Sequence, residues 1–336
     1  MTREDLLLEQ VRAWAAEGRI PDPGRWLESH GLAVLLPDLY GDERARYWAR
    51  QTLAANLLFL EETRRIVGVL LAQDVGVVAL KGIDLLERLY AGRESRRRLS
   101  DIDLLVDHRK IDLALALVGG LGYRHEAEES QEAQQRWSKD VTLAGPNGVR
   151  VELHHRMSLE AGFTATREDL RAGGHLDPGA GPGGSDRLSL EALAIHLLVH
   201  RAIHRFGGDS LRWVLDVLAL LDCSESDLEP SRLLRVAREL RARRAAGAAV
   251  AAIERLVPAA SLGPIDSLRT RDLRERLALR LVDPVRSTLE GRGKWSKPRS
   301  VLCRLVLEPG LPSALAFVYR KARIVRDRDP RRLEGA

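Results

Sequence analysis

Ser100-Asp101-Ile102-Asp103-Leu104-Leu105-Val106 alternates acidic and apolar side chains and then runs on as apolar, as a half-buried β-strand does. Successive strand side chains face opposite sides, so Asp101 and Asp103 share one face, roughly 6.5–7 Å apart at Cα. Ile102, Leu104 and Val106 enter the core. Two carboxylates on one open face repel each other unless a cation sits between them. Hard divalent cations such as Mg²⁺ accept such oxygen ligands and keep waters and substrate phosphates as the rest of their shell. Both aspartates are expected on a solvated face.

Upstream, residues 75–80 are short, β-branched and continuous, the pattern of a buried strand. Lys81-Gly82 ends it, and residues 83–90 return to helical spacing. Glycine lets a phosphate approach the backbone, and the helix start offers free N–H groups and a positive dipole end. The same pair also suits a plain tight turn. Downstream, residues 110–119 read as a helix, and 122–125 and 140–143 as short strands. Pro146-Asn147-Gly148 reads as the turn of a hairpin leading into 149–154. In that last strand Val151 and Leu153 face the core, while Arg150, Glu152 and His154 face out. If it lies beside the Asp101 strand, Glu152 becomes a third carboxylate for a one- or two-metal site. His154, on the same face, is placed to touch an acceptor or phosphate, or to support a carboxylate.

The flanks are helical. Leu6, Leu7, Val11 and Trp14 recur at helical spacing, and an amphipathic stretch over 42–73 carries Leu53, Leu57, Leu60, Ile66 and Leu70 as its apolar stripe. Helices are expected at 188–204, 210–221, 231–252, 267–289 and 312–326. The expected organisation is α+β. It comprises a helical segment (1–72), a mixed α/β core (73–165), a Gly/Pro-rich loop (166–186) and an all-helical part with a basic tail (187–336). His196, His200 and His204 share one helix face, a spacing open to packing, to a pocket wall or to a metal. Trp213 reads as a core anchor, and Asp216 as the partner of a buried arginine.

Composition narrows the classes. With 336 residues, 45% of them hydrophobic, and a net charge of +5, the chain is not mainly disordered. The best apolar stretch, 66–80, is broken by Gln73 and Asp74, so no membrane span is expected. Arg3, Glu4, Asp5 and Glu9 do not suit a secretory signal, and a cytoplasmic chain is expected. Cys223 and Cys303 alone exclude a disulfide scaffold and a CxxC metal site. The region after Arg286 is basic, which suits a solvated helix or an acidic partner. Its few aromatics (Trp295, Phe317, Tyr319) make nucleic-acid binding the poorer alternative. GxxxxGK[ST], GxSxG and the kinase signature set are absent, and no GxGxxG follows an expected strand.

In chain order, a run of short motifs shares one resemblance. The motifs are Leu80-Lys81-Gly82, Leu89-Tyr90, Arg97 four residues before Asp101, and Asp101-Ile102-Asp103-Leu104-Leu105-Val106. Gly122-Tyr123, Val151-Glu152-Leu153-His154, His200 and Leu211-Arg212-Trp213-Val214-Leu215-Asp216 complete it. Together, over roughly 45–225, they resemble the bacterial uncharacterised nucleotidyltransferase family within the DNA polymerase β-like nucleotidyltransferase superfamily. That resemblance implies a nucleotidyltransferase-type small mixed β-sheet with flanking helices and a C-terminal all-helical domain. It also implies metal-dependent transfer of a nucleotidyl group from a nucleoside triphosphate, or a related activated donor, to a hydroxyl-type acceptor. The acceptor would be a small molecule or a peptide, since some members are associated with peptide natural products. By the same resemblance Asp101, Asp103 and Glu152 hold Mg²⁺, or alternatively Mn²⁺. Lys81, Gly82, Arg97 and Ser100 then bind the nucleotide, and His154 and His200 approach the acceptor or support the carboxylates. Two departures from the superfamily stand out. Lys81-Gly82-Ile83 replaces a Gly-Gly or Gly-Ser pair, and the gap from Gly82 to Asp101 is long. Ile83 favours a second reading, a non-catalytic nucleotide or peptide binder, whereas three retained carboxylates argue against it.

Overall fold

A computed structural model describes residues 1–20, 22–126, 138–158, 163–203, 211–224, 227–290, 302–303, 305–308 and 314–315. Helices α1 (Arg3–Ala16), α2 (Pro23–His30), α3 (Pro37–Tyr40) and α4 (Asp42–Ala72) come first. The buried face of α4 runs through Thr52, Asn56, Leu60, Thr63, Ile66 and Leu70. Leu53 and Leu57, expected on that face, are exposed. The face is turned because Asn56 is needed inside. Its amide donates to the carbonyls of Glu94 at 2.6 Å and Arg97 at 2.8 Å, and its oxygen accepts the Leu99 N–H at 3.1 Å. One buried side chain thereby satisfies the backbone of the loop leading to Asp101, which otherwise carries a desolvation cost.

The sheet follows: β1 (Val77–Ala79), α5 (Lys81–Arg88), β2 (Ile102–Val106), α6 (Ile111–Gly120), β3 (Arg124–His125), β4 (Asp140–Ala144) and β5 (Arg150–His154). Strand order is β1-β2-β5-β4-β3, with β2 and β5 parallel and the other pairs antiparallel. Register places Asp103 beside Glu152, and Asp140 across from His154. Paired neighbours share a face. Asp103, Glu152, His154 and Asp140 therefore gather on one side of the sheet.

Residues 166–186, read from sequence as a loop, instead contain α7 (Arg167–Ala172) and β6 (Leu176–Asp177), and β6 pairs with β7 (Arg187–Leu188). The reason lies in the free edge of β1, whose backbone groups need partners. Asp186 donates its N–H to Val77 at 2.7 Å, and its carbonyl accepts from Ala79 at 3.2 Å. Arg167 locks this cover down by donating to Asp107 and to Asp186, each at 2.6 Å. It lies so close to Gly76 that a Cβ there would sit 2.1 Å from Nη1.

The remaining helices are α8 (Leu190–Ile203), α9 (Arg212–Ser224), α10 (Pro230–Glu239), α11 (Arg243–Leu256), α12 (Leu273–Leu281) and α13 (Pro284–Glu290). The helix expected over 231–252 breaks at Arg241, which takes a left-handed φ of 53°. The one expected over 267–289 is also divided. The Glu275 carboxylate accepts the N–H groups of Thr270 and Arg271, and Pro284 opens a new helix. The helix expected at 312–326 falls outside the described residues except at 314–315, and so do His204 and nearly all of the basic tail. Buried apolar side chains from Leu7 to Leu307 form one continuous cluster in this α+β fold. Among the described residues, no helix is long and apolar enough to cross a membrane.

One buried histidine makes stability depend on pH. His30 stacks on Trp26 with ring centroids 3.9 Å apart, and burial pushes its pKa down to about 4. The unfolded chain binds that proton near pH 6.5, so between about pH 6.5 and 4 the unfolded state holds more protons. Stability is expected to fall as pH drops through this window. In urea melts, His30→Phe should remove about 1–2 kcal/mol of the loss between pH 7 and pH 5.

Candidate active site

The turn from β1 into α5 sets the geometry. Lys81, the first residue of the helix, has a left-handed φ of 42°, an uncommon conformation for a side chain of this size. The Leu80 N–H donates to the Asp103 carbonyl at 3.0 Å, and Lys81 Nζ donates to Asp103 Oδ1, also at 3.0 Å. Asp103 is therefore not on a solvated face as expected; it is 4% exposed. The Lys81 side chain folds back over it, and His154 Nε2 lies 2.8 Å from the same oxygen. Burial opposes ionisation of Asp103. The Lys81 charge and the His154 hydrogen bond outweigh burial and hold its carboxyl well below the usual range. Burial works against the Lys81 charge too, but the Asp103 and Glu152 charges raise its pKa.

Around this pair the cluster widens. His154 Nε2 is 3.4 Å from Glu152 Oε2 and 3.9 Å from Asp140 Oδ2. Lys139 pairs with Asp140 and lies 3.7 Å from Glu152. Ligand atoms of Asp103, Glu152 and His154 all lie within 4.8 Å of one another. Asp101 precedes β2 and flanks this trio, accepting the Ser100 hydroxyl at 3.0 Å. Burial, and then the Asp103 and Glu152 charges, push its carboxyl pKa up.

The cluster forms one wall of a cavity of about 390 Å³. Asp101, Asp103, Asp140 and Glu152 supply negative charge, and Lys81, Arg97, Arg98, Lys139, Arg201 and Arg212 supply positive charge. Arg97 is buried and donates through Nε and Nη2 to the two oxygens of Asp216, at 2.8 and 2.9 Å. Tyr90 donates to the same carboxylate at 3.1 Å. Arg201 lies over the Trp213 ring, 5.0 Å from its centroid, and Arg212 donates to the Arg98 carbonyl at 2.5 Å.

A family model described as an uncharacterised nucleotidyltransferase matches residues 26–258. The chain belongs to that family. Neither a curated protein nor a solved structure matches it. The family implies a nucleotide donor. The divalent metal that the family implies fits the residues present. Two carboxylates and an imidazole converge there, a donor set that hard and borderline divalent ions accept.

The cavity brings together Lys81, Gly82, Arg97, Ser100, Asp101, Asp103, Glu152 and His200, while His154 stands behind them at the cluster. The histidine stripe divides. His200 lines the cavity, whereas His196 is 2% exposed, beside Phe163, with neither ring nitrogen hydrogen-bonded among the described residues. Burial pushes its pKa well down. Lys139, Asp140 and Arg201 were not foreseen as site residues. Asp140 did leave a signal, because Asp140-Val141-Thr142-Leu143 alternates acid or hydroxyl with apolar just as the Asp101 strand does.

Gly82 makes room for a side chain. A Cβ there would lie 2.9 Å from Arg97 Nη1 and 2.8 Å from Leu99 Cδ2, both buried and held. Gly82→Ala is expected to cost about 1–3 kcal/mol in denaturant melts, as overpacking does. It should also weaken donor binding by displacing the Arg97–Asp216 pair.

Proposed function

We propose that this nucleotidyltransferase moves a nucleotidyl group from a nucleoside triphosphate, or a related activated nucleotide, to a hydroxyl of a small molecule or a peptide. A peptide destined to become a natural product falls within that acceptor class. What supports the reading most is a single cavity with a carboxylate–imidazole cluster on one wall and six cationic side chains around it. Asp103, Glu152 and His154 would hold a divalent ion, and Asp101 stands next to them. The oxygens suit Mg²⁺, and the imidazole also admits Mn²⁺. Bound there, the ion would neutralise charge that develops on the phosphoryl oxygens.

The chain's own residues account for the rest. Arg98, Arg201 and Arg212 offer cationic groups to the triphosphate, and Arg97 is fixed by Asp216 with Nη1 against Gly82. Lys81 pairs with Asp103 until a triphosphate gives it a second anionic partner. The acceptor oxygen attacks the α-phosphorus as the bond to the bridging oxygen of the β-phosphate breaks. Pyrophosphate leaves with that electron pair, and the hydroxyl proton passes to a carboxylate. Asp101 suits this last task, since its raised pKa makes it the more basic acceptor. Catalysis of this kind rests on positioning and electrostatics. Ile83, the feature that favoured a non-catalytic binder, is fully buried in the core and leaves the cavity clear.

Calorimetric titration of the four ribonucleoside triphosphates, with and without Mg²⁺, tests the donor site. Metal-dependent binding is expected in the wild type and should be lost in Glu152→Gln, a partly exposed position where folding is easily checked. Asp101→Asn should keep donor binding and lose about 10²–10⁴-fold in turnover; full activity would overturn its role. Lys81→Met should bind Mn²⁺ more tightly than the wild type without nucleotide, read by electron paramagnetic resonance, yet bind triphosphate more weakly.

A further inference from the structure

A second cluster of like charge lies where α10 reverses into α11. Arg238, Arg241, Arg243 and Arg244 line a cavity of about 500 Å³ together with Thr270 and Asp272. It shares no lining residue with the catalytic cavity. The reversal itself creates the cluster. Arg241 occupies the left-handed position that usually ends a helix with glycine, and the Ala242 N–H donates back to Ala237 at 2.8 Å. The last turn of α10 and the first turn of α11 then face the same space.

These four guanidinium groups have one lining carboxylate near them, Asp272. Among the described residues no carboxylate pairs with any of them, although several arginines elsewhere are paired. Arg167 has Asp107 and Asp186, Arg187 has Asp84, and Arg269 has Glu254 and Glu275. The one acid in the lining, Asp272, is engaged in capping α12, where its Oδ1 accepts the Glu275 N–H at 2.8 Å. Arg244 donates through Nη1 to the Glu308 carbonyl, while the Nε atoms of Arg243 and Arg244 are buried and make no hydrogen bond among the described residues. α11 starts without a side-chain cap, which adds free N–H groups and the positive end of its dipole. Burial, and then the nearby Arg274 charge, push the Arg244 pKa down. A merely solvated arginine face would keep those Nε atoms in water and would not need them grouped around a hollow.

We propose that this cavity is a second binding site, for a small oligophosphate anion, supplied either as inorganic polyphosphate or as the phosphate chain of a free nucleotide. Guanidinium forks match phosphate oxygens two at a time, and a multiply charged anion would satisfy several arginines at once. Such an anion needs no divalent metal here, since the arginines already supply the charge. That distinguishes this site from the catalytic one.

The test is calorimetric titration of the full chain with tripolyphosphate in EDTA, on the wild type, Arg241→Gly and Arg243→Gln/Arg244→Gln. Arg241→Gly should fold at least as stably, because glycine relieves the left-handed strain. It should nevertheless bind tripolyphosphate at least tenfold more weakly, with metal-dependent nucleotide binding in the catalytic cavity unchanged. The Arg243/Arg244 variant should lose the binding as well. ATP in EDTA competing with tripolyphosphate for this site would identify a nucleotide source, and ATP failing to compete would identify free polyphosphate. Equal affinity in wild type and Arg241→Gly, or no binding by the wild type, would overturn the site. Tighter binding of a single-stranded oligonucleotide through the same arginines would also overturn it, in favour of a polymer backbone.

Discussion

An ionised carboxylate inside a β-sheet governs this structure. Taking a charge such as Asp103 out of water costs several kcal/mol, and only well-placed partners offset it. Here the partners arrive from three directions: Lys81 from the preceding turn, His154 from the parallel neighbour, and Lys139 from the bend just before β4. Each imposes a condition on the backbone. Lys81 must sit in an unfavourable φ, β5 must lie parallel to β2 in one register, and β4 must pair so that Asp140 meets His154. Hydrophobic residues of the same volume would fill the space at less cost, so the cluster is better explained by chemistry than by stability.

Around the cluster, buried polar side chains rather than regular structure hold the loops. Asn56 fixes the segment from Glu94 to Leu99, and Asp216 joins Arg97 and Tyr90 to α9. Arg167 fastens the cover of the β1 edge. The basic wall is supported in the same way, with Arg201 over Trp213 and Arg212 on the Arg98 carbonyl. A site mounted on such clamps faces its ligands with side chains already in place, which limits the ordering cost of binding.

Much of this was legible in the residues, and the failures have physical causes. Alternation in the strands after Ser100 and Val149 put Asp101 with Asp103 on one face and Glu152 with His154 on another strand's face, because side-chain period in a strand is independent of context; that the two strands are neighbours comes from the sheet pairing. The burial of Asp103 was not legible, since it depends on Lys81 folding back from a turn whose φ no pattern announces. Asp140 was read as part of a strand but not as part of the site. Its place follows from the β4–β5 register, and a turn sequence alone does not say what that strand will meet. The stripe of α4 departs from its apolar pattern at Leu53 and Leu57 because a polar residue, Asn56, has the stronger claim to the interior. The break at Arg241 was missed for a related reason: arginine stands where glycine normally signals the end of a helix.

The strand order also constrains when this molecule can first work. β5 lies between β2 and β4 although it follows both in the chain, so the β4–β5 hairpin must dock as a unit against a strand made earlier. His154 lies 51 residues beyond the Asp103 it meets, and Asp216 lies 119 residues beyond Arg97. Contacts this distant must close large loops before they gain anything, and they form late. On the ribosome, Asp103 therefore emerges long before the groups that make its burial tolerable. The nascent chain has neither the complete cluster nor the cavity beside it until synthesis has passed Asp216, and a product truncated before that point would expose a charged, incomplete sheet to the cell's quality control.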